Sequence, residues 1–130
     1  MNECLFCKII KGDIPSRTIY EDDMVKVFLD IAPSTNGDCL LIPKKHIVTI
    51  DEVDCELIVH MLDVIKKVKK LLKEKLDCDG LTISQNNEYG QEIKHFHIHL
   101  TPRYLKDGYS ISYNKDSSLS LDQVLDKLTN

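Results

Sequence analysis

No stretch of this 130-residue sequence approaches the ~20 consecutive apolar residues that cross a bilayer as a helix. A membrane-spanning helix is therefore not expected. Basic residues are not in excess either: 17 Lys and Arg stand against 21 Asp and Glu, a formal net charge of −4. That balance disfavours wholesale binding to nucleic acid or to an anionic membrane, and neither is expected as a partner. The opening stretch MNECLFCKIIKGDIPS lacks the pattern of a secretory leader, with Glu3 where basic residues would stand and Lys8 and Lys11 breaking the apolar run. The expected location is the cytoplasm. The five cysteines are odd in number, which argues against a disulfide framework. Internal repeats and low-complexity segments are absent, apart from a Ser-rich stretch near the C-terminus.

What is present reads as one α+β domain over residues 1–130. CKIIKGDIPS predicts a short N-terminal helix stopped by Gly12. TIYEDDMVKVFLD predicts two strands around a turn at Glu21 to Asp23, the second with Val25, Val27 and Leu29 on one apolar face. APSTNG is a loop, and CLLIP a buried strand ending at Pro43. Leu57, Ile58, Met61, Leu62, Ile65, Val68, Leu72 and Leu76 recur at helical spacing, with Asp54 as cap and Gly80 past the end. This is the one long helix; Lys66, Lys67, Lys70 and Lys73 fall off its apolar stripe on a solvated face, and His60 reads as a surface residue. GLTISQ and KHFHIHLTP predict two further strands, KDGYSISYNKDSS is loose, and SLDQVLDKL predicts a C-terminal helix with a Ser120–Gln123 capping box. The expected architecture is a mainly antiparallel sheet with one long helix and short terminal helices.

The chemistry concentrates in KHFHIHLTPR. On a strand, His95, His97 and His99 share one face while Phe96, Ile98 and Leu100 fill the other. Three imidazoles in a row suit two chemistries. One is metal binding, since imidazole is a common zinc ligand. The other is nucleophilic catalysis at phosphorus, where a neutral ring nitrogen attacks and a neighbouring ring assists. Composition alone does not separate them. Cys4 and Cys7 form a CxxC with only three residues before it, whereas a thioredoxin-type motif follows a strand. A zinc knuckle fits better and needs two more ligands, which His46 (after LLIPK) and His95 would supply. Two unrelated buried thiols are the alternative. Cys39, Cys55 and Cys78 are scattered and read as small buried or half-buried residues.

HFHIHL resembles the signature of the histidine triad (HIT) superfamily of nucleotide hydrolases and transferases. CLFCKIIKGDIPS, YEDDMVKVFLDIAP, LLIPKKHI, SQNN, GQ and HFHIHLTPR occur in that family's order over about residues 4–103, leaving 104–130 as an extension. The resemblance, strongest to the small Hint-like and bacterial branch, implies an antiparallel HIT-like fold, a homodimer and a purine nucleotide substrate such as an adenosine derivative. It implies that His97 attacks the α-phosphate to form a nucleotidyl-histidine, that His99 contacts the phosphate, and that Cys4, Cys7, His46 and His95 hold a structural zinc. It further implies that Asp30 binds ribose hydroxyls, that Phe28, Leu29 and Ile31 wall the base, and that Asn86, Gly90 and Gln91 approach the phosphate. Read from the residues alone, Asp30 is equally a turn residue and Phe28 equally core.

Three features depart from the family's pattern. Gly37-Asp38 replaces a Gly-His pair, the loop between Asn87 and Gly90 holds only Glu88 and Tyr89, and Glu92 stands where relatives carry a hydroxyl. A carboxylate beside a phosphate is repulsive, so Glu92 is expected to alter leaving-group preference or rate. The expected function is hydrolysis of nucleotide phosphoramidates or dinucleoside polyphosphates at the α-phosphate. The competing readings are a zinc hydrolase whose triad holds the metal and a low-activity nucleotide-binding or scaffold protein.

Overall fold

A computed structural model of the chain describes residues 3–112 and 118–130. Helix α1, Leu5–Lys11, starts where the Cys4 sulfur accepts the Cys7 N–H and ends at Gly12, whose φ of +87° suits a residue without a Cβ. Seven residues do not hold a helix by themselves; α1 persists by burying Phe6 and Ile9. Strands β1 (Thr18–Glu21), β2 (Val25–Leu29), β3 (Cys39–Pro43), β4 (Gly80–Ser84) and β5 (Ile98–Arg103) form one antiparallel sheet in the order β1-β2-β3-β5-β4. Helix α2, Cys55–Leu76, begins at Asp54, whose carboxylate accepts the Leu57 N–H at 2.8 Å. Helix α3, Leu121–Thr129, carries the predicted Ser120–Gln123 capping box.

The sheet is covered on both faces. Leu57, Met61, Val64, Ile65, Val68 and Leu72 of α2 pack with Val25, Val27, Leu41, Ile98 and Leu100 to make the main core. On the opposite face Phe6 and Ile9 of α1 pack with Phe28, Leu40 and Ile42. The single apolar face expected for β2 is therefore corrected. Phe28 and Lys26 are buried as well, because α1 lies over the second face; the Lys26 amine reaches the Ile9 carbonyl at 3.5 Å and Glu21 at 3.8 Å.

Three further expectations change. Helix α2 stops at Asp77, which takes the left-handed conformation at φ 54°, and Gly80 instead opens β4. Leu62 and Leu76 of the expected stripe are exposed while Val64 is buried. The histidine strand begins only at Ile98. The β3–β5 ladder runs Cys39↔Leu100, Leu40↔His99, Leu41↔Ile98 and then ends. Nearby Pro43 has no N–H to extend it, and Phe96 donates its N–H to the Ile47 carbonyl at 2.7 Å instead. The alternation survives this: Phe96, Ile98 and Leu100 still enter the main core. The segment 106–118 is without regular structure where described, and 113–117 lie outside the described residues.

His60 is not a plain surface residue. Its Nε2 lies 2.6 Å from Asp22 Oδ2, which also accepts the Tyr20 hydroxyl at 2.7 Å, while Asp22 Oδ1 accepts the Met24 and Val25 N–H groups. The network locks the β1–β2 turn to α2. Burial works to raise the Asp22 pKa, but these hydrogen bonds outweigh it and hold the carboxyl well below the usual carboxylate range. A carboxyl depressed in the folded chain contributes stability that is complete above its ordinary value of 3.8 and is lost as pH falls beneath it. Asp22→Ala is expected to cost about 1–3 kcal/mol at neutral pH in urea unfolding. The gap to wild type should narrow below about pH 4; a gap constant into stronger acid contradicts the assignment.

Candidate active site and metal centre

The histidine segment crosses the face of the sheet that α1 covers. The Phe6 ring meets His95 and His97 edge-on, with centroids 5.8 and 5.2 Å away, and packs against Phe28 at 5.6 Å. One helix thus borders two sites, a four-donor cluster behind Phe6 and a cavity in front of it.

The cluster joins Cys4, Cys7, His46 and His95, whose ligand atoms all lie within 4.8 Å of one another. Cys7 Sγ is 3.2 Å from His46 Nδ1 and 3.6 Å from His95 Nδ1, Cys4 Sγ is 3.4 Å from His95 Nδ1, and the two Nδ1 atoms are 3.2 Å apart. A tetrahedron with ordinary zinc–nitrogen and zinc–sulfur bond lengths has N–N edges of about 3.3 Å and N–S edges of about 3.6 Å. The donor set fits such an ion. His95 is prepared for it: the Pro43 carbonyl, 2.8 Å from Nε2, can only accept, so Nε2 carries the proton and Nδ1 offers a lone pair.

The cavity has a volume of about 420 Å³. Phe28, Leu29, Asp30, Ile31, Asn86, Gly90, Glu92, His97 and His99 all line it, so the structure brings these sequence-predicted residues together. Gln91 does not join them. Its side chain is buried, donating to the Val48 carbonyl at 2.7 Å and accepting the Glu88 N–H at 3.2 Å, so it anchors the 85–92 loop from behind. Gly90, at φ +90°, turns the chain beside Asn86. Asp30 has both of the characters read from sequence: one oxygen accepts the Ala32 N–H at 2.9 Å in a turn, and the residue still borders the cavity. Phe28 is likewise both core and wall. Asp38 accepts the Thr101 hydroxyl and the Ser34 N–H, both at 2.9 Å, so it braces the 32–37 loop against β5.

Sequence reasoning missed the wall supplied by α1 and the segment after it: Leu5, Phe6, Ile9, Ile14 and Arg17. The i, i+3 spacing of Phe6 and Ile9 was the available signal, overshadowed by the cysteines between and before them.

His97 is buried, and its Nδ1 lies 2.7 Å from the His95 carbonyl. Since that oxygen only accepts, Nδ1 carries the proton and Nε2 is left with a free lone pair. Burial lowers the pKa of His97, and the carbonyl bond and the charges of Asp30 and Glu92 oppose it only in part. The His99 ring packs edge-on at 4.9 Å. A neutral, oriented imidazole facing a cavity lined by both apolar and polar side chains can attack an electrophile held there.

A family model described as the HIT domain matches residues 11–106. The chain belongs to the HIT family. Among HIT relatives, an uncharacterised HIT-like protein of Methanocaldococcus jannaschii is 41% identical over 127 residues, 96% of this chain and 98% of that protein. An adenylylsulfatase of Arabidopsis thaliana is 35% identical, covering 98% of this chain and 66% of its own length. An adenosine 5'-monophosphoramidase of Schizosaccharomyces pombe is 37% identical, covering 77% and 74%. A HIT protein of Bacillus subtilis superposes with a TM-score of 0.84 at 35% identity, covering 97% and 92%. A zinc-bound histidine triad protein of Mycobacterium smegmatis gives 0.79 at 35%, covering 88% and 85%. The HIT fold is thus the α+β architecture described above.

The geometry separates the cysteines. Cobalt(II) titration of the metal-free chain is expected to reach one equivalent with the visible bands of a tetrahedral thiolate site. Cys7→Ser and His95→Ala should abolish the bands, while Cys55→Ser, which removes an exposed thiol, should leave them. Bands surviving in Cys7→Ser contradict the donor set.

Proposed function

We propose that this HIT protein hydrolyses adenosine or other purine nucleotide derivatives at the α-phosphorus through a nucleotidyl-histidine intermediate. The observation that carries the reading is the His97 ring, pinned through Nδ1 by the His95 carbonyl at 2.7 Å with Nε2 free toward the cavity. The base occupies the part of the cavity lined by the apolar side chains of Ile9, Phe28, Leu29 and Ile31. Asp30 keeps one carboxylate oxygen free of its turn bond for a ribose hydroxyl, a donor that an acceptor-only group suits. Asn86 and the backbone at Gly90 approach the phosphate. His97 Nε2 attacks the α-phosphorus, the leaving group departs in line, and His99 stabilises the charge that develops on the phosphoryl oxygens. Water then takes the nucleotidyl group from His97.

The named relatives support the substrate class: an adenylylsulfatase and an adenosine 5'-monophosphoramidase both act on an adenylyl group, with different leaving groups. We assign zinc to Cys4, Cys7, His46 and His95, supported by the tetrahedral spacing and by a zinc-bound relative. When bound it would supply a structural cross-link between α1, the turn after β3 and the histidine segment. The reading in which the triad itself holds a catalytic metal is disfavoured. Among the described residues the only three-or-more donor cluster takes His95 alone from the triad, while His97 spends Nδ1 on a carbonyl.

We further take residues 1–130 as one cytoplasmic domain that pairs into a homodimer. β4 lies at the sheet edge with Ile83 exposed, and Val59 and Leu62 of α2 and Leu121, Leu125 and Leu128 of α3 present apolar surface. Sedimentation is expected to give twice the 14.9 kDa chain mass; a monomer at micromolar concentration contradicts this.

His97→Asn should reduce turnover of adenosine 5'-phosphoramidate by ~10³-fold or more while AMP binding, followed by calorimetry, persists. Wild-type chain that binds AMP without turning over the phosphoramidate would instead support the nucleotide-binding alternative.

A further inference from the structure

The cavity has an ionic character that the reaction alone does not require. Besides the histidines, its charged lining consists of Asp30, Glu92 and Arg17. A site built to release an anionic leaving group would set cations around it. Here the residue directly after the loop's anchor, Gln91, is a carboxylate, Glu92. Gln91 before Glu92 is buried and bonded to the Val48 carbonyl, and Ile93 after it packs against the α1-side core and accepts the His95 N–H at 2.9 Å. The backbone on both sides of Glu92 is therefore held, and its side chain borders the cavity that His97 and His99 face.

No internal cation neutralises it. Among the described residues Glu92 makes no hydrogen bond and no ion pair. Lys94, two residues on, spends its amine on the Glu88 and Gln91 carbonyls at 3.1 and 2.8 Å. Arg17 borders the same cavity without pairing to Glu92. Glu92 is exposed at the cavity border, and an unpaired carboxylate there repels an added negative charge and attracts a positive one.

We propose that Glu92 makes this site discriminate leaving groups by charge, favouring nucleoside phosphoramidates that release an amine and disfavouring substrates that release sulfate or a polyphosphate. The inference rests on the reading that His97 attacks the α-phosphorus. As the His97 Nε2–P bond forms, the P–N bond breaks and its electron pair stays on the departing nitrogen. That nitrogen takes up one proton from water to leave as an amine, and at neutral pH a second to become an ammonium ion. Positive charge develops in the cavity that Glu92 borders. When sulfate leaves, the P–O electron pair stays on oxygen, no proton is taken up, and a dianion forms against the carboxylate. The preferred substrate is accordingly a nucleoside phosphoramidate whose amine carries a further positive charge, as a diamine would.

The test compares kcat/KM of full-length wild type, Glu92→Gln and Glu92→Asp on two substrates, the adenosine 5'-phosphoramidate of 1,2-diaminoethane and adenosine 5'-phosphosulfate. Wild type is expected to prefer the phosphoramidate. Glu92→Gln should lower the phosphoramidate-to-phosphosulfate ratio by about tenfold or more, and Glu92→Asp should keep most of it. The ratio compares two substrates on one protein, so partial misfolding does not move it. An unchanged ratio in Glu92→Gln, with both substrates still turned over and His97→Asn inactive, overturns the role of Glu92 and leaves the hydrolase reading standing. Failure of wild type to turn over either substrate, or full activity in His97→Asn, overturns the hydrolase reading and this inference with it.

Discussion

The edge-on contact of Phe6 with His95 and His97 is the constraint on which both sites depend. Helix α1 is too short to be stable alone, and it is held by that aromatic contact, by Ile9 in the second core and by the sulfurs of Cys4 and Cys7 beside His46 and His95. Remove α1 and its N-cap and the cavity loses Leu5, Phe6 and Ile9 from its wall while the four-donor cluster loses Cys4 and Cys7. The seven-residue helix and its cap are the common border of the four-donor cluster and the histidine-lined cavity, and Cys4, Phe6, Cys7 and Ile9 lie within six positions of sequence.

The three histidines divide by what each ring nitrogen faces. His95 turns Nε2 to the Pro43 carbonyl and Nδ1 to the sulfurs; His97 turns Nδ1 to the His95 carbonyl and keeps Nε2 for the cavity; His99, half-buried, completes the row. Two main-chain carbonyls thus fix two tautomers in opposite senses. Burial assists by keeping both inner rings neutral. The same burial makes Cys39 inert: its thiol is pushed up to about 12, and it serves only as core.

Much of this was readable in the sequence, because the strongest signals were local and chemical. Period-two alternation around the histidines located the core side of Phe96, Ile98 and Leu100 even though the ladder begins only at Ile98. Capping residues at Asp54 and Ser120 located two helix starts. The features that escaped are those decided by contacts distant along the chain. His60 gained a partner in Asp22, 38 positions away, which no helical pattern reveals. Both faces of β2 became interior because α1 folded over Lys26 and Phe28. Gln91 turned away from the cavity because its amide found the Val48 carbonyl, and the α1 wall went unseen because Cys4 and Cys7 claimed that helix for a metal. Glu92 was visible as a departure from the HIT pattern, but only the structure shows it, among the described residues, as an unpaired carboxylate on the cavity that His97 also lines.

The central claim is that His97 carries the nucleotidyl group, and it is tested most directly by trapping. Wild-type chain mixed with adenosine 5'-phosphoramidate, quenched in alkali within one turnover and analysed by peptide mass spectrometry should carry one adenylyl group on the peptide containing His97, and His97→Asn should carry none. Rapid turnover with that peptide unmodified at every quench time, or adenylylation found on another residue, would contradict the account.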